Sequence, residues 1–477
     1  MSTQHPDNVR APFFAESMEL SGEDEVQEAY YVFSHLGCDE QMWDCEGKEV
    51  DNFVVKKLLT RYSSFFKKKR LGQEIFLTLR VPNPAIEKAE AKILLETLES
   101  IPRSFDTAKR FYGDDRPPIF EVILPMTTSA LYIDRIYRYY CNFVIGKQYK
   151  LFKEKDITIA EWIGEFKPER INVIPLFEDM AHILEGHNIT KMYLQDKDIK
   201  YQRVFLARSD PAMNYGLVSA VLLVKIALQR LEKMSKEIGV KIYPIIGVGS
   251  APFRGNLKPE TVERVMEEYP SVYTFTIQSA FKYDNPPEKV RMAIKKLKKR
   301  KVKRAQEIDE EKCLEIIRKY SQEYRRQINL LAKIINRIAE YIPRRRKRKL
   351  HIGLFGYSRS MGRVKLPRAI VFTAALYSLG LPPEILGLNA LSKEDIRFVK
   401  RVYRNFFYDL KDSLKYFNPD SDFLLKALRI KDFPVDFRIN KEHKEITDYI
   451  TNSLREDKAE GLREGILRAA DLRGFLG

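Results

Sequence analysis

Eight places along this chain set an acid, an arginine or a polar side chain just past a short apolar run. They are Asp44, Arg80, Thr127, Glu178, Asp210, Arg254, Gln278 and Arg359. Carboxylate oxygens are the ligands that hard divalent cations prefer. A planar guanidinium matches phosphate or carboxylate with two parallel donors. Gathered around one cavity, such groups suit a metal-assisted reaction on an anionic substrate. Glu178 and Asp210 follow consecutive runs, and neighbouring parallel strands lie about 4.8 Å apart. Their carboxylates could share one Mg²⁺ or Mn²⁺. Both have plainer readings: Glu178 suits a helix N-terminus, and Asp210 opens a turn before Pro211.

The glycine-bearing stretch 247–256 follows the sixth run and carries Ser250 and Arg254. Glycine lets a backbone approach a ligand, and backbone amides there can hold an anion. On spacing alone a plain strand-to-helix turn is the simpler account. Arg208 follows the fifth run, Gln278 the seventh, and Arg359 and Arg363 the eighth. Arg359 is the preferred anion contact, because loops after strands seven and eight of parallel barrels frequently hold phosphate. Of six histidines, His182 and His187 lie five apart, the wrong spacing for one helical face. His5, in Ser2–Thr3–Gln4–His5–Pro6–Asp7–Asn8, reads on its physics alone as a solvated residue near a terminus.

The elements that must position these groups are legible as apolar runs at 40–43, 74–79, 119–124, 171–177, 203–207, 242–246, 272–277 and 351–355. Most are followed by a helical pattern, and strand–helix alternation favours a parallel sheet. Eight such units predict an α/β fold, a (β/α)₈ TIM-type barrel over about 36–380. Added helices and a helical C-terminal extension over about 392–477 complete a single unit of 1–477. An open doubly wound sheet is the competitor, but the first run lacks its glycine-rich phosphate turn. The pattern places helices at 53–66, at 84–98 (ending before Pro102), at 213–238 with Gly239 as cap, at 259–268, at 309–342 and at 366–379.

The chain has 477 residues, 44% of them hydrophobic, and 83 basic against 66 acidic residues give a net charge of +17. The dense basic runs 295–304 and 344–349 read first as solvated helix ends, next as subunit or anion contacts, and last as a nucleic-acid site. No nucleic-acid motif accompanies them. No signal peptide opens the sequence, and no apolar run nears the ~20 residues of a membrane span. Four cysteines without CxxC spacing argue against zinc and disulfides. These features predict a cytoplasmic protein with neither membrane nor nucleic-acid partner.

Six ordered segments resemble motifs of phosphoenolpyruvate carboxylase, in its shorter archaeal form. The 2–8 segment resembles T-A-H-P-T of the longer enzymes, PLFED at 175–179 their P-L-F-E, and ARSDPAMNYG at 207–216 their Y-S-D-S-x-K-D-x-G. GSAPFRG at 249–255 resembles the end of their glycine- and arginine-rich loop, IQSAFKY at 277–283 their E-Q-G-E…F-K-Y, and YSRSMGR…LPRAI at 357–370 their G-S-R-P…L-R-A-I. The resemblance implies carboxylation of phosphoenolpyruvate by bicarbonate, giving oxaloacetate and phosphate through carboxyphosphate and an enolate. It implies Mg²⁺ or Mn²⁺ on Glu178 and Asp210, catalytic roles for His5, Arg254 and Arg80, and substrate binding by Arg359, Gln278, Ser250 and Arg208. It also implies a homotetramer. The chain departs from the longer enzymes in lacking the His and first Arg of F-H-G-R-G-G, and it shares only the final Gly of their N-T-G ending. Two other readings stand beside this one: a different metal-dependent phosphoenolpyruvate or enolate enzyme on the same barrel, and a basic nucleic-acid-binding protein.

Overall fold

The computed structural model describes residues 1–45, 51–88, 91–347, 360–361, 364–420, 428 and 433–477. Seven strands lie where the first seven apolar runs are: β1 Glu40–Asp44, β2 Phe76–Arg80, β3 Glu121–Leu124, β4 Asn172–Phe177, β5 Tyr201–Ala207, β6 Lys241–Gly247 and β7 Thr274–Phe275. They form one sheet in the order β1 to β7, and every pairing is parallel. The eighth run, 351–355, lies outside the described residues.

The space between the sheet's two edges is taken by the start of the chain. Ser2 forms parallel bridges to both Gln41 and Ile277. Ser2 N–H donates to the Glu40 carbonyl (2.8 Å) and Ile277 N–H to that of Met1 (2.9 Å). The sheet is therefore curled until both edges share one segment. Alternate residues point inward along each strand. Met1, Met42, Ile123, Ile174, Leu176, Phe205, Ala207 and Ile245 form the cluster inside the curl. Their neighbours Val122, Leu124, Val173, Val204 and Leu206 face out into the main core beneath the helices.

Several helix expectations change. The predicted 53–66 helix is two, Val54–Arg61 and Ser63–Phe66, parted at Tyr62. The predicted 84–98 helix is Lys92–Tyr112, and Pro102 lies within it. Residues 84–86 are instead a turn held by Asn83, whose Oδ1 accepts from Ala85 N–H (3.0 Å). Burial of Leu98, Ile101, Pro102 and Phe105 on one face outweighs the backbone bond that proline removes. The predicted 213–238 helix is two, Ser209–Tyr215 and Leu217–Ile238. They break at Gly216 (φ +84°), where a Cβ would strike Tyr320 and Tyr324. The basic run at 344–349 is not a solvated helix end throughout: Arg345 and Arg346 are buried. Arg345 donates to the carbonyls of Asn8 and Val9, and Arg346 pairs with Glu25 and Glu28. The other run, 295–304, is largely exposed, as expected. Among the described residues no single helix is long and apolar enough to cross a membrane.

Candidate active site

The carboxyl ends of the strands gather most of the predicted site. Glu178 directly follows β4. Its Oε2 accepts from Met126 N–H at 2.6 Å. Met126 follows β3 and holds φ at +51°, an unusual backbone for a side chain other than glycine. Asn83, beyond β2, fixes that turn by donating to the carbonyls of Pro125 (2.9 Å) and Met126 (3.1 Å). The helix that follows Glu178 is capped by Asp179, which accepts from His182 N–H at 3.0 Å. The capping role considered for Glu178 thus belongs to its neighbour. Asp210 lies in the first turn of the helix Ser209–Tyr215, three residues past β5.

Asp44 ends β1 and Arg80 ends β2, opposite each other in register. They form a two-pronged pair, Nε to Oδ1 at 3.0 Å and Nη2 to Oδ2 at 2.6 Å. Asp44 N–H donates to Gln4 Oε1 (2.9 Å), tying the pair to the segment that closes the sheet. His5 stands at the end of that segment, half-buried, with Nδ1 2.9 Å from Thr3 Oγ1. It is not the solvated terminal residue that its physics alone suggests. Trp43, the residue before Asp44, is buried in the outer core.

Arg254 is fully buried. Its guanidinium donates to Gly477 O (2.6 Å) and Gln278 Oε1 (2.5 Å), and it lies 3.4 Å from Asp7 Oδ2. Burial pulls its pKa down, while Asp7 and Asp210 oppose that pull. The glycine at 249 serves this side chain: a Cβ there would lie 2.9 Å from the guanidinium carbon. Ser250 turns its hydroxyl to the Leu257 carbonyl (3.3 Å) and its amide to Asp7. Arg208 is also buried and donates to the Phe253 carbonyl (3.1 Å), with Tyr269, Tyr403 and Asp409 around it. Arg359 and Arg363 lie outside the described residues.

Sequence reasoning missed Asp7, Asn83, Lys282 and Arg345. Lys282 Nζ donates to Ser2 Oγ (3.1 Å), the Thr3 carbonyl (2.8 Å) and Glu28 (2.8 Å), and so fixes the segment that carries His5. Asp7 and Lys282 stand inside quoted motifs, so a signal was present. Arg345 looked like one charge in a solvated run.

A hard cation asks for oxygen ligands and often takes only one or two protein carboxylates besides water and substrate. Among the described residues no group of three or more His, Cys, Asp or Glu could hold a metal. Glu178 and Asp210, carried by adjacent strands β4 and β5, fit the smaller donor set that Mg²⁺ accepts.

A family model described as phosphoenolpyruvate carboxylase matches residues 1–477. The chain belongs to that family. A phosphoenolpyruvate carboxylase from Methanothermobacter thermautotrophicus is 60% identical over 100% of this chain and 99% of its own length. The enzyme of that name from Methanospirillum hungatei is 59% identical over the same shares. The one from Pyrococcus furiosus is 53% identical, also over 100% and 99%. An HpcH/HpaI aldolase structure from Desulfitobacterium hafniense covers 58% of this chain and 85% of its own at 13% identity. Its TM-score of 0.31 is too low to carry an argument.

Proposed function

We propose that this chain carboxylates phosphoenolpyruvate with bicarbonate, releasing oxaloacetate and phosphate. The observation that carries this reading is the family match over the whole chain, with relatives of that name 53–60% identical over all of it. Bicarbonate oxygen attacks phosphorus, the bond from phosphorus to the enol oxygen breaks, and carboxyphosphate and the enolate of pyruvate result. Carboxyphosphate then gives CO₂ and phosphate, and the enolate carbon captures the CO₂.

Glu178 and Asp210 would hold Mg²⁺ or Mn²⁺, which when bound supplies positive charge against the enolate oxygen and the phosphoryl group. Arg80, Arg254 and Arg359 neutralise charge on the phosphoryl and carboxylate groups as it develops. Ser250, Gln278 and Arg208 shape and support the loops that bind substrate. His5 takes the proton of carboxyphosphate at Nε2, its Nδ1 being held by Thr3. On this reading the framework is a (β/α)₈-type barrel in which residues 1–3 stand between β7 and β1. Its working form is a cytoplasmic homotetramer, which light scattering of the purified protein would check.

The test is a coupled oxaloacetate assay with and without Mg²⁺ and bicarbonate. Turnover is expected only with both, and equal consumption of phosphoenolpyruvate without bicarbonate would overturn the reading. Asp210→Asn is expected to raise the metal concentration needed for half-maximal rate, and an unchanged titration removes it from the ligand set. His5→Asn is expected to lose oxaloacetate while retaining some bicarbonate-dependent phosphate release.

A further inference from the structure

We propose that Asp7 is a positioning residue, whose carboxylate locks the segment bearing His5 to the loop bearing Arg254 and to the start of the helix Ser279–Tyr283. The inference rests on the role proposed above for His5 and concerns a residue that takes no part in the steps described there. Asp7 is fully buried. Its Oδ1 accepts from Ala280 N–H at 2.7 Å. Its Oδ2 accepts from Ser250 N–H at 3.3 Å and pairs with the Arg254 guanidinium at 3.4 Å. Its carbonyl accepts from Leu476 N–H at 2.7 Å. Three stretches distant in sequence thus meet on Asp7.

The same residue fixes His5 from its own side. Asp7 N–H donates to the His5 carbonyl (3.1 Å), and Ser279 N–H donates to that same oxygen (3.1 Å). The His5 backbone is therefore held between the Asp7 turn and the loop after β7. Pro6, the single residue between them, fixes its own φ and restricts the residue before it. A displacement of the Asp7 carboxylate has little slack in which to dissipate before it reaches the imidazole. Burial raises the Asp7 pKa above its ordinary value, against the opposing pull of Arg254 and the two amides. All three donors suit the ionised carboxylate, which accepts only. An amide in its place would turn an NH₂ toward at least one of them.

The consequence falls hardest on the second half of the reaction. If Asp7 acts by placing His5, its loss must resemble the loss of His5, with oxaloacetate falling further than phosphate. A residue that only stabilises the fold would lower both products together. The experiment measures oxaloacetate and bicarbonate-dependent phosphate in parallel for wild type, His5→Asn, Asp7→Asn and Asp7→Glu, with thermal melting of each. Asp7→Glu keeps the charge but lengthens the arm, and it serves where Asp7→Asn does not fold. A folded Asp7 variant is expected to lower the oxaloacetate-to-phosphate ratio by up to about a hundredfold, the scale of a catalytic group misplaced by an ångström. An unchanged ratio in the folded variants, or failure of both to fold, would overturn the inference and leave Asp7 a structural residue. If His5→Asn itself leaves the ratio unchanged, the role given to His5 is what fails. A changed ratio in His5→Asn with none in the Asp7 variants sinks only the present inference.

Discussion

The two ends of the curled sheet bury charge in opposite ways. At the amino end, Arg203 of β5 reaches across the interior to Glu40 of β1 (2.7 and 2.8 Å) and Glu121 of β3 (2.8 Å). The hydroxyls of Thr78 and Tyr201 donate to Glu40 Oε1 (2.6 Å) and Glu121 Oε1 (3.1 Å). Burial works to raise the Glu40 pKa, but the guanidinium overrides it and holds the carboxyl below its ordinary range. Each of these side chains stands within a strand. At the carboxyl end the charges stand at the last strand residue or just past it, on turns set by Asn83, Met126, Gly249 and Asp7. A charge fixed by regular strand geometry stabilises a fold, and conservation of that geometry needs no loop. A charge carried on a turn can be aimed, which is why parallel barrels place their chemistry there.

Four variants would break or sharpen this contrast. Glu178→Gln keeps the shape but removes the charge, and should reduce turnover by about a thousandfold while melting stays within a few degrees of wild type. A large fall in melting temperature instead would make Glu178 as structural as Glu40. Arg203→Met should do the reverse, costing about 3–5 kcal/mol because two buried acids lose their partner. Denaturant unfolding reads the loss, and turnover per folded molecule should hold. Gly249→Ala sets a methyl against Arg254 and should cost about 1–3 kcal/mol of overpacking, with a fall in activity that Ala at the exposed Gly113 would not cause.

The smallest effect is a slope. Glu384, fully buried, accepts from Tyr377 O–H at 2.6 Å, and burial pushes its pKa up to about 8. Between the unfolded value near 4.5 and 8, the folded chain keeps a proton that the unfolded chain has lost. Its contribution to stability therefore falls as pH rises through that window and is flat above it. Glu384→Gln should flatten the decline, read as melting temperature from pH 5 to 9. An unchanged slope would show that Glu384 is ionised in the folded protein.

Seven strands, their order and the clustering of Glu178, Asp210, Arg80 and Arg254 at one end were legible because a strand buried on both faces writes itself as an apolar run. Pro102 misled because local rules place proline at helix ends, and only the packing of Leu98 and Phe105 reveals why the helix continues. Arg345 and Arg346 misled for a related reason. Composition marks a charge as solvated, whereas their acceptors, the Asn8 and Val9 carbonyls and Glu25 and Glu28, lie more than 300 residues away.

By itself the sequence determined the family, the parallel α/β character and which short segments carry the chemistry, since these depend on residue type and local spacing. The tertiary structure alone decided that residues 1–3 join the two edges of the sheet, that Asp179 rather than Glu178 caps its helix, and that Arg254 is tied to Asp7, Gln278 and Gly477. Those outcomes depend on which distant groups satisfy one another's hydrogen bonds once water is excluded. No local pattern encodes that pairing.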